Sequence, residues 1–303
     1  MEILIGAGGW GYFHVEGLGS LEAYSRAFDF VEVNSTFYEY PSLEVVEGWR
    51  RRAPNDFQFS VKCHRDLTHR FKMEPVEGSF RCFDRMTEIC KTLRTDMLLL
   101  ETTRYFEFSD RKVESIDEFL RSLDLKDLRL IWEVRSRPLP NRLAYLFREH
   151  GITSCVDLSV EAPFAKSDML YSRLFGKGRH NRYQFDDDEL VAIDRRTEGS
   201  YRRQVLSFHG VKMYSDAARF KVYRETGSLP RATKSTGIAS LAEVLREDAN
   251  FPASKQELIG DQGWKVIDIS ENKRAHASIL LEKLPDRTYY SVLEVLAEAA
   301  GYF

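Results

Sequence analysis

Cysteine is scarce in this chain. There are four in 303 residues, and no Cys-x-x-Cys pair among them. That excludes a disulfide framework or a thiolate zinc site as the organising feature, and Cys63, Cys82, Cys90 and Cys155 read as reduced core or helix thiols of a cytoplasmic protein. No apolar run reaches the roughly 20 residues that a membrane-crossing helix requires, so no membrane association is expected. Met1–Gly6 passes straight into an alternating strand pattern, without a basic segment and a long apolar one, so no export signal is expected. An excess of one charge is also missing, since 44 basic residues face 47 acidic ones for a net charge of −3. That balance does not favour nucleic acid as a partner, although it is compatible with a local basic patch. His-x-His and His-Glu-x-x-His spacings, internal repeats and low-complexity tracts are all absent.

What is present is a large apolar inventory, 43% hydrophobic and 13% aromatic, ample for one large domain with or without a small companion. The stretch from Phe30 to His69 sets the pattern. Two alternating runs, Phe30–Asn34 and Phe57–His64, flank a helical segment over Glu44–Arg52. Such strands pair in parallel, and a parallel sheet has both faces covered. Further strands are expected at Ile3–Gly8, Met97–Thr102, Leu128–Arg135, Ile152–Leu158, Met169–Phe175 and Val205–Gly210. Helices are expected at Leu21–Phe28, Ser79–Leu93, Ile116–Leu123, Asn141–His150 and Asp187–Glu198. The sixth crossover, Ser159–Ser167, is short for a helix and contains Pro163. This alternation is that of an α/β TIM-type (β/α)8 barrel over residues 1–228. After a turn-rich connection, residues 229–303 read as an appended small helical C-terminal module, with helices at Leu241–Asp248, Ala275–Lys283 and Ser291–Ala300.

Parity then selects the side chains that face the barrel axis. The outer face meets helices and is apolar, so the polar face is the inner one. That places Glu32 and Asn34, Lys62 and His64, Glu101, Glu133 and Arg135, Asp157, Arg173 and His209 inward on successive strands. Burying so many charges is costly unless they pair or meet a ligand. Self-neutralisation, with Glu32 and Lys62 at similar depth on adjacent strands, is the bland explanation. The functional one is an enzyme for a small polar or phosphorylated ligand, working by acid–base chemistry at the C-terminal mouth. In it Glu32, Lys62, Glu133 and Asp157 carry the chemistry, while Trp10, Tyr12, Asn34, His69, Arg135, Arg173 and His209 hold the ligand. No organic cofactor is implied, and no metal ligand set is assigned.

Two alternatives stand beside it. In one, the acids with His64, His69 and His209 bind divalent metal, as in barrels of the endonuclease IV and xylose isomerase type, against which the three cations of the same ring weigh. In the other, the barrel binds a ligand or partner without catalysis. Gly6-x-Gly8-Gly9 reads as a sharp turn, not a phosphate cradle, and Cys63 points outward and reads as inert.

The motifs Gly9-Trp10-Gly11-Tyr12, Phe30-Val31-Glu32-Val33-Asn34-Ser35-Thr36-Phe37-Tyr38, Phe57–Lys62 and Leu67-Thr68-His69 resemble the YecE-like family, domain of unknown function 72. The likeness continues through Glu133-Val134-Arg135, Asp157, Arg173 and Asp216-Ala217-Ala218, over about residues 1–227. It implies a TIM barrel and no particular reaction. The chain departs from the family pattern at Arg173-Leu174-Phe175-Gly176, where many members carry a histidine, and at Phe208-His209-Gly210 and Glu101-Thr102-Thr103-Arg104. Pro252-x-x-Lys255-x-x-Leu258 and Leu284-Pro285-x-x-x-x-Tyr289 look like a second domain of unknown function, numbered 2795.

Overall fold

Strands whose two faces are both buried need cover on both sides, and this chain supplies it by closing its sheet on itself. The computed structural model describes residues 1–302, so Phe303 lies outside the described residues. Eight parallel strands form the closed barrel: β1 (Glu2–Ala7), β2 (Phe30–Val33), β3 (Gln58–Lys62), β4 (Met97–Thr102), β5 (Arg129–Val134), β6 (Thr153–Val156), β7 (Met169–Leu174) and β8 (Arg203–Phe208). β8 closes the ring against β1, with Ile3 opposite Gln204 and Ala7 opposite Phe208. Where β1 meets β2 the backbones approach so closely that a Cβ on Gly6 would lie 1.9 Å from the Phe30 carbonyl oxygen, so a side chain cannot be accommodated there.

The barrel interior is layered. An apolar layer of Leu4, Phe30, Met97, Ile131, Met169 and Val205 fills its middle. Below it, at the strand N-termini, ion pairs close the end: Arg203 Nη1 with Asp96 at 2.7 Å and Arg129 Nη1 with Asp168 at 2.8 Å. Above it lie the charged residues of the C-terminal mouth.

The crossover helices follow the expected order: α1 (Ser20–Ala27), α2 (Leu43–Arg52), α3 (Glu77–Leu93), α4 (Asp110–Arg121), α5 (Asn141–Glu149) and α6 (Asp187–Arg196). α2 and α4 begin at serine caps, Ser42 and Ser109, whose hydroxyls accept the amides of Val45 and Lys112. Between β6 and β7 the described backbone is irregular, and Ser172 Oγ accepts the Leu158 amide at 3.1 Å. The sequence pattern announces no helix after the eighth strand, and the structure has one, α7 (Met213–Thr226). Its buried residues include Asp216 and Arg219, so the apolar stripe that marks a core-facing helix is interrupted by charge.

The chain forms two compact units, Met1–Leu174 with Thr197–Phe208, and Phe175–Arg196 with the residues from His209 onward. The second therefore takes α6 and α7 together with the C-terminal segment. That segment holds α8 (Ile238–Asp248), β9 (Ala253–Ser254), α9 (Lys255–Gln262), β10 (Val266–Ser270), β11 (Lys273–His276), α10 (Ser278–Leu281), β12 (Thr288–Tyr289) and α11 (Val292–Ala299). It is thus not purely helical as expected. β10 and β11 form an antiparallel hairpin, and β9 pairs with β12. The expected helix over Ala275–Lys283 is a strand up to His276, because Val266 and Ile267 pair with His276 and Ala275 across the hairpin. Leu241, Leu245, Ile267, Leu281, Tyr289 and Val295 form the core of this unit. Among the described residues no helix is long and apolar enough to cross a membrane.

Asp216 is a buried acid inside the second unit. Its Oδ2 accepts the Phe185 amide at 3.2 Å, and Arg219 Nη1 stands 3.8 Å from its Oδ1. Burial pushes the carboxyl from 3.8 up to about 7, against the opposing pull of Arg219 and the Phe185 amide. The native state therefore holds this proton more tightly than the unfolded chain, so stability falls as pH rises from about 4 to 7 and levels off above. Asp216→Asn should remove that fall. Urea unfolding should show the variant gaining on the wild type by a few kcal/mol between about pH 4.5 and about pH 7.5, since each pH unit across that window is worth about 1.4 kcal/mol for one proton. A difference independent of pH would show that Asp216 does not titrate in this range.

Candidate active site

The mouth is built from the motif that follows β2. Glu32, third residue of β2, points to the barrel axis and is fully buried. Asn34, just past the strand, donates from Nδ2 to the Gly8 carbonyl at 2.8 Å and tethers the loop after β1. Thr36 Oγ1 donates to the Lys62 carbonyl at 2.6 Å, tying the end of β2 to the end of β3. Phe37 lies under the Lys62 ammonium, 4.1 Å from ring to Nζ, and edge-on to His69 at 5.2 Å. The run Glu-x-Asn-Ser-Thr-Phe is thus a brace that holds three loop ends and two charges in one place.

The inward acids and bases meet as one network. Arg173 on β7 is its hub. Nη2 lies 3.0 Å from Glu32 Oε1, and Nη1 donates to Glu101 at 2.7 Å and also to Glu133. Lys62 Nζ is 2.7 Å from Glu101 Oε2, Arg135 Nη2 is 2.9 Å from the same oxygen, and Arg135 Nε donates to Glu133 Oε1 at 2.7 Å. Below, the Tyr171 hydroxyl donates to Glu32 Oε2 at 2.9 Å and sits 2.7 Å from Ser60 Oγ. Three carboxylates (Glu32, Glu101, Glu133) face three cations (Lys62, Arg135, Arg173), so the network is neutral as a whole.

Its members are tuned apart. Burial alone would raise the Glu133 carboxyl, yet Arg173 and Arg135 outweigh it and hold it at about 2. Burial, and then the Arg173 charge, lower the Lys62 ammonium despite its contact with Glu101. Burial also lowers His69, although the charge of Glu101 opposes this. Arg173 is pushed the other way: burial would lower it, and Glu32, Glu133 and Glu101 together raise it. Pairs of groups driven apart by their surroundings are the usual basis of acid–base roles.

The other residues read from the sequence are spread more widely. His69 lies half-buried in the turn Asp66–Arg70 after β3, with Nδ1 2.8 Å from Thr68 Oγ1. Asp157 follows β6, and its Oδ1 accepts the Ser159 amide at 2.8 Å, a turn-forming role. His64 stacks on Tyr40 at 3.9 Å, and its Nδ1 accepts the Asp66 amide. Trp10 packs edge-on against Trp49 at 5.4 Å, and Tyr12 is 83% exposed. His209 lies just past β8, within the second unit, where it stacks on Phe175 at 4.6 Å. Asn34 joins the network through Oδ1, which accepts from Arg173 Nη2 at 3.4 Å. Two residues of the network have no part in the acid–base reading of the sequence. Glu101 is where all three cations converge, and its parity was the available signal. Tyr171 also has inward parity, but a tyrosine gives no charge signal.

Two cavities open among the loops after β3, β4 and β5. One, of about 320 Å³, is lined by Thr68, His69, Lys72, Thr103, Tyr105 and Lys112 among others. The other, of about 570 Å³, is lined by Arg104–Ser109 and Ser136–Pro140. The smaller bears directly on the network, because it contains His69, whose ring feels the charges of Glu101 and Lys62.

Arg173→Met should leave three buried carboxylates short of their shared partner. The expected loss at pH 7 is about 3–5 kcal/mol in chemical unfolding. Glu133 contributes stability that is present above its usual 4.5 and disappears as pH falls toward 2. The cost of Arg173→Met should therefore shrink near pH 3. An equal cost at pH 3 and pH 7 would mean that the lost contacts are not ionic.

Comparison with known proteins agrees with this architecture. A family model described as "Protein of unknown function DUF72" matches residues 4–223. The UPF0759 protein YecE of Escherichia coli K12 is 32% identical over 108 residues, which is 35% of this chain and 38% of that protein. The UPF0759 protein YunF of Bacillus subtilis 168 is 27% identical over 122 residues, 38% of this chain and 43% of that protein. The matched sequence thus spans less than half the length of these relatives. Among solved structures, a DUF72 family protein from Thermotoga maritima superposes with a TM-score of 0.57 at 22% identity, covering 74% of this chain and 100% of that one. Another from Enterococcus faecalis V583 gives 0.58 at 16% identity, covering 74% and 98%. These likenesses show the same barrel fold. The resemblance read in the C-terminal segment has no counterpart in the family match, which ends at residue 223. Through the barrel strands and the brace after β2, this chain belongs to the DUF72 family.

Proposed function

We propose that this protein is an enzyme acting on a polar or phosphorylated small molecule by acid–base chemistry at the C-terminal mouth of its barrel. The observation that carries the reading is the buried Lys62–Glu101 pair, linked through the Phe37 ring under the Lys62 ammonium to His69, which lines the 320 Å³ cavity. Lys62 is a proton carrier. Its ammonium is destabilised by burial and by Arg173, while Glu101 stands 2.7 Å away to receive or return a proton. Glu133, held ionised down to about pH 2, is better suited to steadying charge than to donating protons. Lys72 lines the cavity, as does Lys112, which is paired with Glu74, and Arg135 is the network's exposed cation, so basic side chains are available to a phosphate or carboxylate on the ligand. The cavity is of a size suited to a small molecule.

The metal-dependent alternative is not favoured by this arrangement. Each of Glu32, Glu101 and Glu133 is engaged by a guanidinium or ammonium group, which a divalent ion would have to displace. A purely binding role uses the same cavity without proton transfer, so the two are separated by their mutants.

A thermal-shift screen of phosphate esters and sugar acids should yield a stabilising ligand. Arg135→Ala should weaken its binding by about tenfold or more, the loss of a charge-assisted hydrogen bond. Lys62→Met should retain the shift and abolish turnover. A ligand whose shift survives both Arg135→Ala and Lys72→Ala would place binding elsewhere. Turnover that survives Lys62→Met would remove the assigned proton carrier.

A further inference from the structure

The loop after β4 stands between two cavities. Tyr105, Phe106, Glu107 and Ser109 line both the 320 Å³ cavity and the 570 Å³ one, so this loop is a shared wall. The wall is held at both ends: the Phe106 amide donates to the Thr103 carbonyl at 3.1 Å, and Ser109 caps α4. Both cavities lie among the loops at the C-terminal ends of β3, β4 and β5, the end at which such barrels bind their ligands. Their linings differ. The smaller has Lys72, Lys112 and His69. The larger is faced with rings, Tyr105, Phe106 and Phe108 from one loop and Pro138 and Pro140 from the next. Phe106 and Phe108 lie 4.8 Å apart, and Phe108 is 5.9 Å from the buried Trp132, so that face is packed from behind. Tyr105, by contrast, is 84% exposed. The charges of the larger cavity do not select an anion. Arg104 is accompanied by Glu107 on the same lining, and Arg137 is committed to both carboxylate oxygens of Glu161 at 2.6 Å. One polar group is left over. Ser136 lines the cavity and is only 7% exposed, and its hydroxyl has no hydrogen-bond partner among the described residues. A buried hydroxyl costs free energy until something pairs with it.

We propose that the 570 Å³ cavity is the second half of the substrate site and receives an aromatic ring with a hydrogen-bonding substituent, while the anion of the same molecule sits beside Lys72 in the 320 Å³ cavity. The inference rests on the acid–base site proposed at the mouth, and it narrows the substrate to a phosphate joined to an aromatic ring through a short chain. A flat ring has aromatic partners on one wall and prolines on the other, and the exposed Tyr105 gains cover by packing against it. The Ser136 hydroxyl pairs with the substituent on that ring. The spacer follows from the shared wall, because ring and anion lie on opposite sides of one loop. A cavity lined mostly by apolar groups with one placed polar group is the usual form of a small-molecule pocket.

Titration calorimetry of the full-length protein at fixed ionic strength compares propyl phosphate, 3-phenylpropyl phosphate and 3-cyclohexylpropyl phosphate. The phenyl compound should bind about tenfold or more tighter than propyl phosphate, from burial of its ring. It should also bind tighter than the cyclohexyl compound, whose ring is not flat. Tyr105→Ala should weaken the phenyl compound about fivefold and leave propyl phosphate unchanged. A para hydroxyl, as in 3-(4-hydroxyphenyl)propyl phosphate, should tighten binding about fivefold in the wild type and not in Ser136→Ala. Tyr105 is exposed and the Ser136 hydroxyl is unpartnered among the described residues, so both variants keep the fold. Lys72→Ala should weaken all the phosphates alike. The ring pocket is overturned, with the mouth reading intact, if propyl phosphate binds and depends on Lys72 while the phenyl ring adds nothing, or if Tyr105→Ala leaves the phenyl gain whole. If none of the phosphates binds, both are overturned. Equal gains from the phenyl and cyclohexyl rings would overturn the aromatic assignment, and a para-hydroxyl gain that survives Ser136→Ala would overturn that of Ser136.

Discussion

A single guanidinium reaching across the barrel lumen sets the terms for this structure. Arg173 contacts Glu32, Glu101 and Glu133, side chains of three other strands, at the level where the apolar filling ends. Without such a fork, three carboxylates in a lumen of low polarity would protonate or draw in water. With it, each carboxylate is neutralised in place and the top of the barrel is fixed as a polar floor. Lys62 and Arg135 complete the balance from β3 and from the residue after β5, so the network is neutral while its members remain individually charged.

Neutrality of the whole does not make the parts alike. Arg173 is bound by three acids that hold its proton, whereas Lys62 is weakened by burial and crowded by Arg173. Glu133 is pinned between two guanidinium groups. The network therefore sets a loosened proton, on Lys62, beside Arg173 and Glu133, whose charged forms are held firmly. A salt-bridge cluster built for stability alone has no need for such a gradient, since buried ion pairs contribute little net stability over apolar packing. The gradient is the physical basis for assigning chemistry to the mouth.

The fold was legible for a simple reason. Period-two alternation in strands and amphipathic spacing in helices are local properties, and six crossover helices and eight strands announced themselves by them. The same parity correctly turned Glu32, Lys62, Glu101, Glu133 and Arg173 toward the axis. Asp157 and His64 carry the same inward period, and each also accepts a local amide, Asp157 that of Ser159 and His64 that of Asp66. α7 was hidden because Asp216 and Arg219 occupy positions where an apolar residue would normally be found. The hairpin of β10 and β11 was hidden because a short polar strand can only be recognised by its partner.

The sequence by itself determined the barrel, the order of its elements, and the composition of acids and bases at its mouth, since all of these follow from spacing along the chain. It also determined the brace after β2, because Asn34, Thr36 and Phe37 lie at fixed offsets from Glu32. Only the tertiary structure decided which acid meets which base, and that Arg173, not Lys62, neutralises Glu32. Only it brought the Tyr40 hydroxyl to the Cys82 sulfur. Those distances depend on barrel closure, strand stagger and helix packing. They connect residues as many as 141 positions apart (Glu32 and Arg173), a separation over which local periodicity carries no information.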